Sequence, residues 1–382
     1  MQVTSICITD LTPVQISELV TTMGEPDYRA AQLRHWIYRE LALSFEDMTD
    51  LPKPFRSRLT RETRLCSIDP VYQVEGRDGT IKTLFALADG RNIEAALMSY
   101  RSGQGKPRYT VCVSTQVGCP IGCPFCATGQ QGFERNLTQG EIIDQVLYFA
   151  HVARERCGAT RNAPIDSASY ITNIVLMGMG EPLANYNAVL KAIRMLISPQ
   201  DFGIGARSII ISTAGLVPQI RKLSQERLQI GLAISLHASG NVLRSKLVPI
   251  NEKYPLEQLL PACREYFDAS HRRLSFEYVL LEGINDSVSQ ARSLAELLKG
   301  LNCHVNLITA NDTADGCYRP PPRGRVLDFQ TELQNMHITC TVRQRKGLDI
   351  DAGCGQLRSR LETAEKEVQD NYCRGAGGIP PL

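Results

Sequence analysis

Residues 118–129 read GCPIGCPFCATG. The spacing Cys119-x3-Cys123-x2-Cys126 is the feature from which the rest of the chain falls into order. Just upstream, residues 109–114 form a short β-rich apolar run, so the three cysteines lie at the C-terminal end of an expected strand. Three thiolates on one compact loop suit a soft metal centre, above all an iron–sulfur cluster. Gly118 and Gly122 let the backbone fold tightly around it. Structural zinc normally takes four closed ligands, commonly as two separated CxxC pairs, and the sequence has no second pair. Three ligands would leave one iron of a four-iron cluster open to a small molecule. The competing readings are a zinc ion completed by a distant cysteine, or three buried thiols.

Downstream the pattern alternates. Strands are expected at 109–114, 173–177, 208–212, 231–236, 274–281, 305–308 and 338–342, with helices near 138–156, 185–198, 217–226, 256–269, 287–300 and 325–336. The first helix opens on a capping box, Thr138 to Glu141, and then sets Ile142, Val146, Phe149 and Ala153 at helical spacing. Strands alternating with helices imply an α/β protein with a parallel sheet. Six or seven such units suit a partial or complete β/α barrel; a doubly wound open sheet is the alternative, and periodicity does not separate the two. Either way, ligand chemistry gathers at strand C-terminal ends.

Upstream, residues 12–63 read as helical. Thr12-Pro13 starts a first helix with Ile16, Leu19 and Val20 on one face; a second over 27–41 groups Leu33, Trp36, Ile37 and Leu41; a third follows the Pro52–Pro54 break. The turns Asp78-Gly79 and Asp89-Gly90, flanked by runs at 71–74, 81–87 and 92–98, predict a small antiparallel meander. Residues 1–104 therefore read as a separate α+β unit. A charged helix is expected over 357–372, before a Gly/Pro-rich end.

A chain of 382 residues has a prior of two to three domains. Hydrophobic residues at 43% and charged residues at 21% exclude a disordered or collagen-like chain. No apolar run approaches the ~20 residues of a membrane span, and the opening MQVTSICITDLTPVQ has no secretory pattern, so a cytoplasmic protein without membrane contact is expected. A net charge of +2, from 42 basic and 40 acidic residues, argues against a nucleic-acid coat protein but leaves room for local basic patches. Such patches occur at Lys53, Arg56, Arg58, Arg61 and Arg64, at Arg319, Arg323 and Arg325, and at Arg343, Arg345 and Lys346. They fit phosphate binding and equally fit an ordinary solvated surface. The 13 cysteines exclude a complete disulfide framework by parity. Cys7, Cys66, Cys157, Cys263, Cys303 and Cys340 read as small buried hydrophobes.

A CxxxCxxC motif after the first strand of a βα array resembles the signature of the radical S-adenosylmethionine (SAM) superfamily. The longer string VCVSTQVGCPIGCPFCATGQQGFERNLT, residues 111–138, is similar to the RlmN family of RNA adenine C2-methyltransferases and to its relative Cfr, an adenine C8-methyltransferase. Further matches are GMGEPLAN at 178–185, STAG at 212–215, SLH at 235–237, NLITAN at 306–311 and DIDAGCGQL at 349–357, with EPDYRAAQLRHWIY and FEDMTDLP in the N-terminal part.

The resemblance implies a radical SAM β/α barrel core over 105–345, an accessory domain over 1–104 and a C-terminal segment over 346–382. It implies a [4Fe-4S] cluster on Cys119, Cys123 and Cys126, with SAM on the open iron held by Gly180, Glu181, Ser212, Ser235, Leu236, His237 and Asn311. Glu181 would pair with the ammonium group of SAM. Taken alone, GMGEP is only a tight strand-to-helix turn, and His237 a hydrogen-bonded core histidine.

The resemblance also makes Cys354 a methyl carrier through S-methylcysteine, Cys112 its resolving partner in a transient disulfide, and Glu94 the acceptor of the ring proton. The chemical need is that adenine C2, an electron-poor carbon, does not attack a methyl sulfonium. On its own Glu94 is a carboxylate alternating with Ile93 and Ala95, for which a solvated face is the default. The implied substrates are an adenosine of the peptidyl-transferase centre of 23S rRNA and adenosine 37 of tRNAs, splayed into the site. An electron donor such as flavodoxin and a monomeric state complete the expectation. Two departures stand out: Gly353 where the family usually has Ala, and Ala310-Asn311-Asp312 where it has an aromatic followed by Asn-Pro. The rivals are Cfr-type C8 methylation, a non-enzymatic zinc-binding RNA module, and a radical SAM activase or mutase with no need of Cys112 or Cys354.

Overall fold

The computed structural model describes residues 6–100, 108–158, 170–310, 317–343 and 350. Near the start, β1 (Ile6–Cys7) pairs in parallel with β2 (Thr63–Arg64), and between them run α1 (Pro13–Thr22), α2 (Tyr28–Tyr38) and α3 (Lys53–Glu62). α1 opens as its residues dictate. The Thr12 hydroxyl accepts the Gln15 N–H, the Gln15 side chain accepts the Thr12 N–H, and Pro13 fills the first turn. α2 stops at Tyr38, short of the expected Leu41, because Leu41 adopts a left-handed φ of 53° that no helix continues through.

The meander is present as β3 (Ile68–Glu75), β4 (Ile81–Leu87) and β5 (Asn92–Tyr100), all antiparallel. β5 also pairs antiparallel with β6 (Arg108–Cys112), placing Ala96 opposite Cys112. The sheet thus runs from the meander into the parallel strands. The boundary expected at 104/105 falls outside the described residues.

After β6 the chain leaves the sheet through β7 (Gln116–Gly118), α4 (Ala127–Gln130) and β8 (Phe133–Asn136), and returns through α5 (Gln139–Arg156). There follow β9 (Asn173–Leu176), α6 (Tyr186–Ile197), β10 (Ile209–Thr213), α7 (Val217–Gln225), β11 (Gly231–Ser235), α8 (Asn241–Leu247), α9 (Leu256–Ser270), β12 (Leu274–Leu280), α10 (Val288–Leu298), β13 (Cys303–Thr309), α11 (Arg323–Asn335) and β14 (Cys340–Val342). The short β1–β2 pair, the β7–β8 pair and α8 have no counterpart in the sequence reading. The helix expected over 357–372 lies outside the described residues.

The ten-stranded sheet runs β3-β4-β5-β6-β9-β10-β11-β12-β13-β14. From β6 onward every pairing is parallel and strand order follows chain order. A doubly wound sheet reverses its order at a switch point; this one does not, so the array is of barrel type. It is a partial barrel: β5 occupies the outer edge of β6, and among the described residues β14 pairs only with β13. One sheet face packs into the core through residues such as Val111, Ile211, Ile234, Phe276 and Val305, all buried. On α6 the buried Val189, Ile193 and Leu196 recur at helical spacing. Each such side chain contributes roughly 1.5–3 kcal/mol.

Candidate functional site

Register gathers the expected site residues on the other face of the sheet. Cys112 stands between Ala96 and Val175; Val175 faces Ile210; Ser212 faces Ala233; Ser235 faces Glu277, and Glu277 faces Asn306. Side chains alternate along a strand, so residues two apart share a face. Glu94, two residues before Ala96, therefore shares one face with Cys112, Ser212, Ser235, Glu277 and Asn306. Ser212 and Ser235 also lie at the C-terminal ends of β10 and β11, where a barrel collects its ligands.

The cysteine loop hangs over these strand ends. Cys119 follows β7 directly, and its N–H donates to the Gly132 carbonyl at 2.8 Å. Gly118 takes a φ of +73°, and a Cβ there would lie 1.9 Å from that same oxygen, so only glycine lets β7 and β8 close around the loop. Cys123 accepts the Cys126 N–H at 3.1 Å through its carbonyl, ahead of α4. All three cysteines are partly buried free thiols.

Burial pushes the three thiols up, Cys119 to about 12; negative charge on Glu181 and on neighbouring thiols adds to the effect at Cys119 and Cys123. Soft sulfurs so crowded become thiolates when a cationic metal centre supplies the counter-charge. The donor chemistry and the glycine-lined cradle fit such a centre. Among the described residues, no three His, Cys, Asp or Glu side chains form a group able to hold a single metal ion.

Beside the loop, Gly180 takes a φ of +104°, and a Cβ there would fall 2.6 Å from the Gln116 Cβ. Gln116 accepts the Glu181 N–H through its side-chain oxygen at 2.7 Å. Glu181 is buried; its two carboxylate oxygens accept the N–H groups of Leu183 at 3.0 Å and Ala214 at 2.7 Å. It braces the loops after β9 and β10 together, a role the sequence did not reveal. Burial lifts its carboxyl to about 7 despite those donors.

His237 sits in the left-handed region at φ 60°, and its Nδ1 accepts the Val279 N–H at 3.0 Å. Burial first, then the charge of Arg244, hold its pKa down near 3, so the ring is neutral with its proton on Nε2. Phe125, from the cysteine loop, meets the His237 ring edge-on at 5.0 Å and the Tyr318 ring at 6.4 Å. Leu236 is buried; its N–H donates to the Glu277 carbonyl at 3.0 Å.

Arg244, on α8, is wholly buried and was missed by the sequence reading. It donates to the carbonyls of Ala214 at 2.7 Å, Ser235 at 3.2 Å and Leu236 at 3.2 Å, and to the Asn251 amide oxygen at 2.8 Å. One guanidinium thus ties the ends of β10 and β11 together beneath the cysteine loop. Burial lowers its pKa to about 10, partly offset by Cys123 and then Cys263.

On the meander side, Glu94 does not lie on a solvated face. Its Oε2 is 2.7 Å from the Lys82 Nζ, and each side chain is only 2% exposed. Cys112 is a free thiol. Burial raises its pKa, while the charge of Arg343 and, more weakly, that of Lys82 pull it back.

Two family models match the chain: the N-terminal domain of the ribosomal RNA large subunit methyltransferase over residues 6–65, and the radical SAM superfamily over residues 113–295. The chain is 45% identical over 352 residues to a dual-specificity RNA methyltransferase RlmN of Syntrophobacter fumaroxidans, covering 92% of this chain and 98% of that protein. It is 43% identical over 356 residues to a probable dual-specificity RNA methyltransferase RlmN of Heliobacterium modesticaldum, covering 93% and 90%. The chain belongs to the RlmN family of radical SAM enzymes. A crystal structure of a radical SAM methyltransferase from Sphaerobacter thermophilus agrees in shape, with a TM-score of 0.85 at 46% identity over 92% of this chain and 98% of that one.

Of the residues an RlmN-family reading singles out, Asn311 and Cys354 lie outside the described residues. So do Asp312, Gly353, Arg345 and Lys346. The basic cluster around α3 is largely spent on local partners. Arg56 is buried and donates to the Glu46 carbonyl at 2.6 Å; Arg58 and Arg61 both bind Glu62; Arg64 reaches Asp69 at 3.4 Å. Arg325 likewise pairs with Asp286 at 3.2 Å. No described helix is long and apolar enough to cross a membrane.

Proposed function

We propose that this RlmN-family protein methylates C2 of an adenosine in the peptidyl-transferase centre of 23S rRNA, and of adenosine 37 in tRNAs, through S-methylcysteine at Cys354. One observation carries the reading: Glu94 and Cys112, on adjacent strands, share the sheet face of Ser212 and Ser235. An activase or mutase has no use for that pairing. The names of the relatives support RNA as substrate.

A [4Fe-4S] cluster on Cys119, Cys123 and Cys126, with SAM on its open iron, supplies one-electron chemistry and the methyl group when bound. The chain does the rest. Gly180, Glu181, Ser212, Ser235, Leu236, His237 and Asn311 hold SAM, Glu181 turning toward its ammonium group. Phe125, His237 and Tyr318 form an aromatic wall that excludes water. Cys354 carries the carbon, and Glu94 takes the ring proton. The Cys112 thiolate then attacks the carrier sulfur, the S–S bond forming as the carbon–sulfur bond breaks and leaves its electron pair on the product carbon, which takes up a proton to become the methyl group.

The accessory domain is assigned to 1–104, the barrel core to 105–345 and the carrier segment to 346–382. A donor such as flavodoxin supplies electrons to a cytoplasmic monomer.

The test is anaerobic reconstitution, incubation with 23S rRNA fragments and tRNA, and mass spectrometry of the nucleosides. The expected product is 2-methyladenosine; 8-methyladenosine alone would move the assignment to the Cfr type. Cys354→Ala keeps the iron and loses methylation, and Cys112→Ala accumulates a protein–RNA crosslink. Full turnover by Cys354→Ala defeats the carrier role.

A further inference from the structure

Glu277 lies in the middle of β12, on the face that carries Ser235 and Asn306, its register partners on either side. It is only 5% exposed. Its Oε1 accepts the Asn306 amide N–H at 2.8 Å. Its Oε2 is buried and, among the described residues, has no hydrogen-bond donor. The nearest cation, the Arg343 guanidinium, stands 3.9 Å away, beyond hydrogen-bond reach, and its Nη1 also reaches the Met177 sulfur at 3.7 Å. A buried carboxylate oxygen left without a donor is costly and rare in folded proteins. Burial pushes this carboxyl up, moderated by Asn306 and then Arg343, so a donor brought by a ligand finds a strong acceptor waiting. Glu277 also accepts the Leu236 N–H at 3.0 Å through its own carbonyl, which fixes it against the Ser235-Leu236-His237 segment.

We infer that Glu277 Oε2 is a ligand-binding acceptor, and that the group it takes is a ribose hydroxyl of the adenosyl moiety of SAM. The inference rests on the SAM-binding reading of the segment 235–237. A carboxylate with one oxygen already held by an amide presents the other at a fixed angle, and an acidic side chain is an acceptor that ribose hydroxyls take in other nucleotide sites. The target adenosine of RNA offers the same hydroxyl chemistry. The adjacency of Ser235 and Leu236 favours the cosubstrate.

The test uses the anaerobically reconstituted full chain and compares wild type with Glu277→Gln. Glutamine keeps the shape and the bond from Asn306, but turns an NH2 donor toward the place where an acceptor is needed. Calorimetric titration with SAM is expected to show binding weakened about tenfold or more, with iron content, melting temperature and RNA affinity unchanged. An adenosyl analogue lacking the ribose 2′-hydroxyl is expected to lose affinity for wild type and to bind Glu277→Gln and wild type alike. Equal SAM affinity in the two proteins overturns the inference, as does a loss confined to RNA binding. Failure of wild type itself to bind SAM would instead sink the reading beneath it. Should Glu277→Gln lose iron or fold, Asn306→Asp, which removes the amide donor and reorients the same carboxylate, must weaken SAM binding with iron retained, or the inference is overturned.

Discussion

The Nζ of Lys82 stands 2.7 Å from the Oε2 of Glu94, with both side chains out of water. Removing one member of a buried pair takes from the other its close counter-charge, at a cost of about 3–5 kcal/mol. Lys82→Met is therefore expected to destabilise the fold by that order in a denaturant titration. The double variant with Glu94→Gln is expected to recover most of the loss. Additive losses in that cycle would show that the two side chains do not depend on each other.

Arg244 allows a similar prediction without a carboxylate. Arg244→Met takes a donor from three carbonyls, of which Leu236 keeps the Ala238 N–H, and from the Asn251 amide oxygen, and a loss of about 3 kcal/mol is expected. Lysine cannot reproduce the planar fork, so Arg244→Lys is expected to rescue less than half. A fully stable Arg244→Lys protein would contradict this account.

Gly118→Ala places a methyl group 1.9 Å from the Gly132 oxygen at a φ of +73°. The β7–β8 closure must open, costing at least about 2 kcal/mol. Reconstituted variant is expected to hold fewer irons per chain than wild type in a colorimetric assay. Wild-type iron content would argue that the loop tolerates a looser cradle.

Asp144 supplies a pH signature away from the site. Its buried carboxylate accepts the Thr9 hydroxyl at 3.0 Å and the N–H and hydroxyl of Ser67 at 2.7 and 2.5 Å, yet burial outweighs these donors and lifts its carboxyl to about 6. The unfolded value is about 3.9. Between the two values the folded state holds more protons, so this residue's contribution to stability falls as pH rises from about 4 to 6, by an amount on the order of 3 kcal/mol. Melting temperatures of wild type minus Asp144→Asn are expected to decline across that window. A difference that grows with pH would reverse the sign and refute the assignment.

Much of this arrangement is legible in the chain because local signals and burial agree. The strands β9 to β13 fall within a few residues of their apolar runs, and Thr138 caps α5 as its spacing with Glu141 predicts. The cysteine loop stands at a strand end as expected. What escapes the sequence depends on partners far along the chain. Glu94 alternates with apolar neighbours, the pattern of an outward-facing charge; its ion pair with Lys82 on the next strand shows that it faces inward. Glu277 sits inside the run LSFEYVLL with nothing local to mark it. Arg244 lies in a segment without periodic signal, and its four acceptors come from three separate stretches of chain. Partial against complete closure hinges on which strand borders β6, a question that hydrophobic period does not address.

The antiparallel seam between β5 and β6 bears on how such proteins could be rebuilt. A barrel whose first strand is hydrogen-bonded to the appended unit cannot shed that unit as a bead from a string. Cutting between them would bare an edge of backbone donors and acceptors, inviting association between copies, and would carry away the carboxylate proposed to take the proton. Grafting a foreign N-terminal module onto this core would have to supply both a matching edge and an acid at the right register.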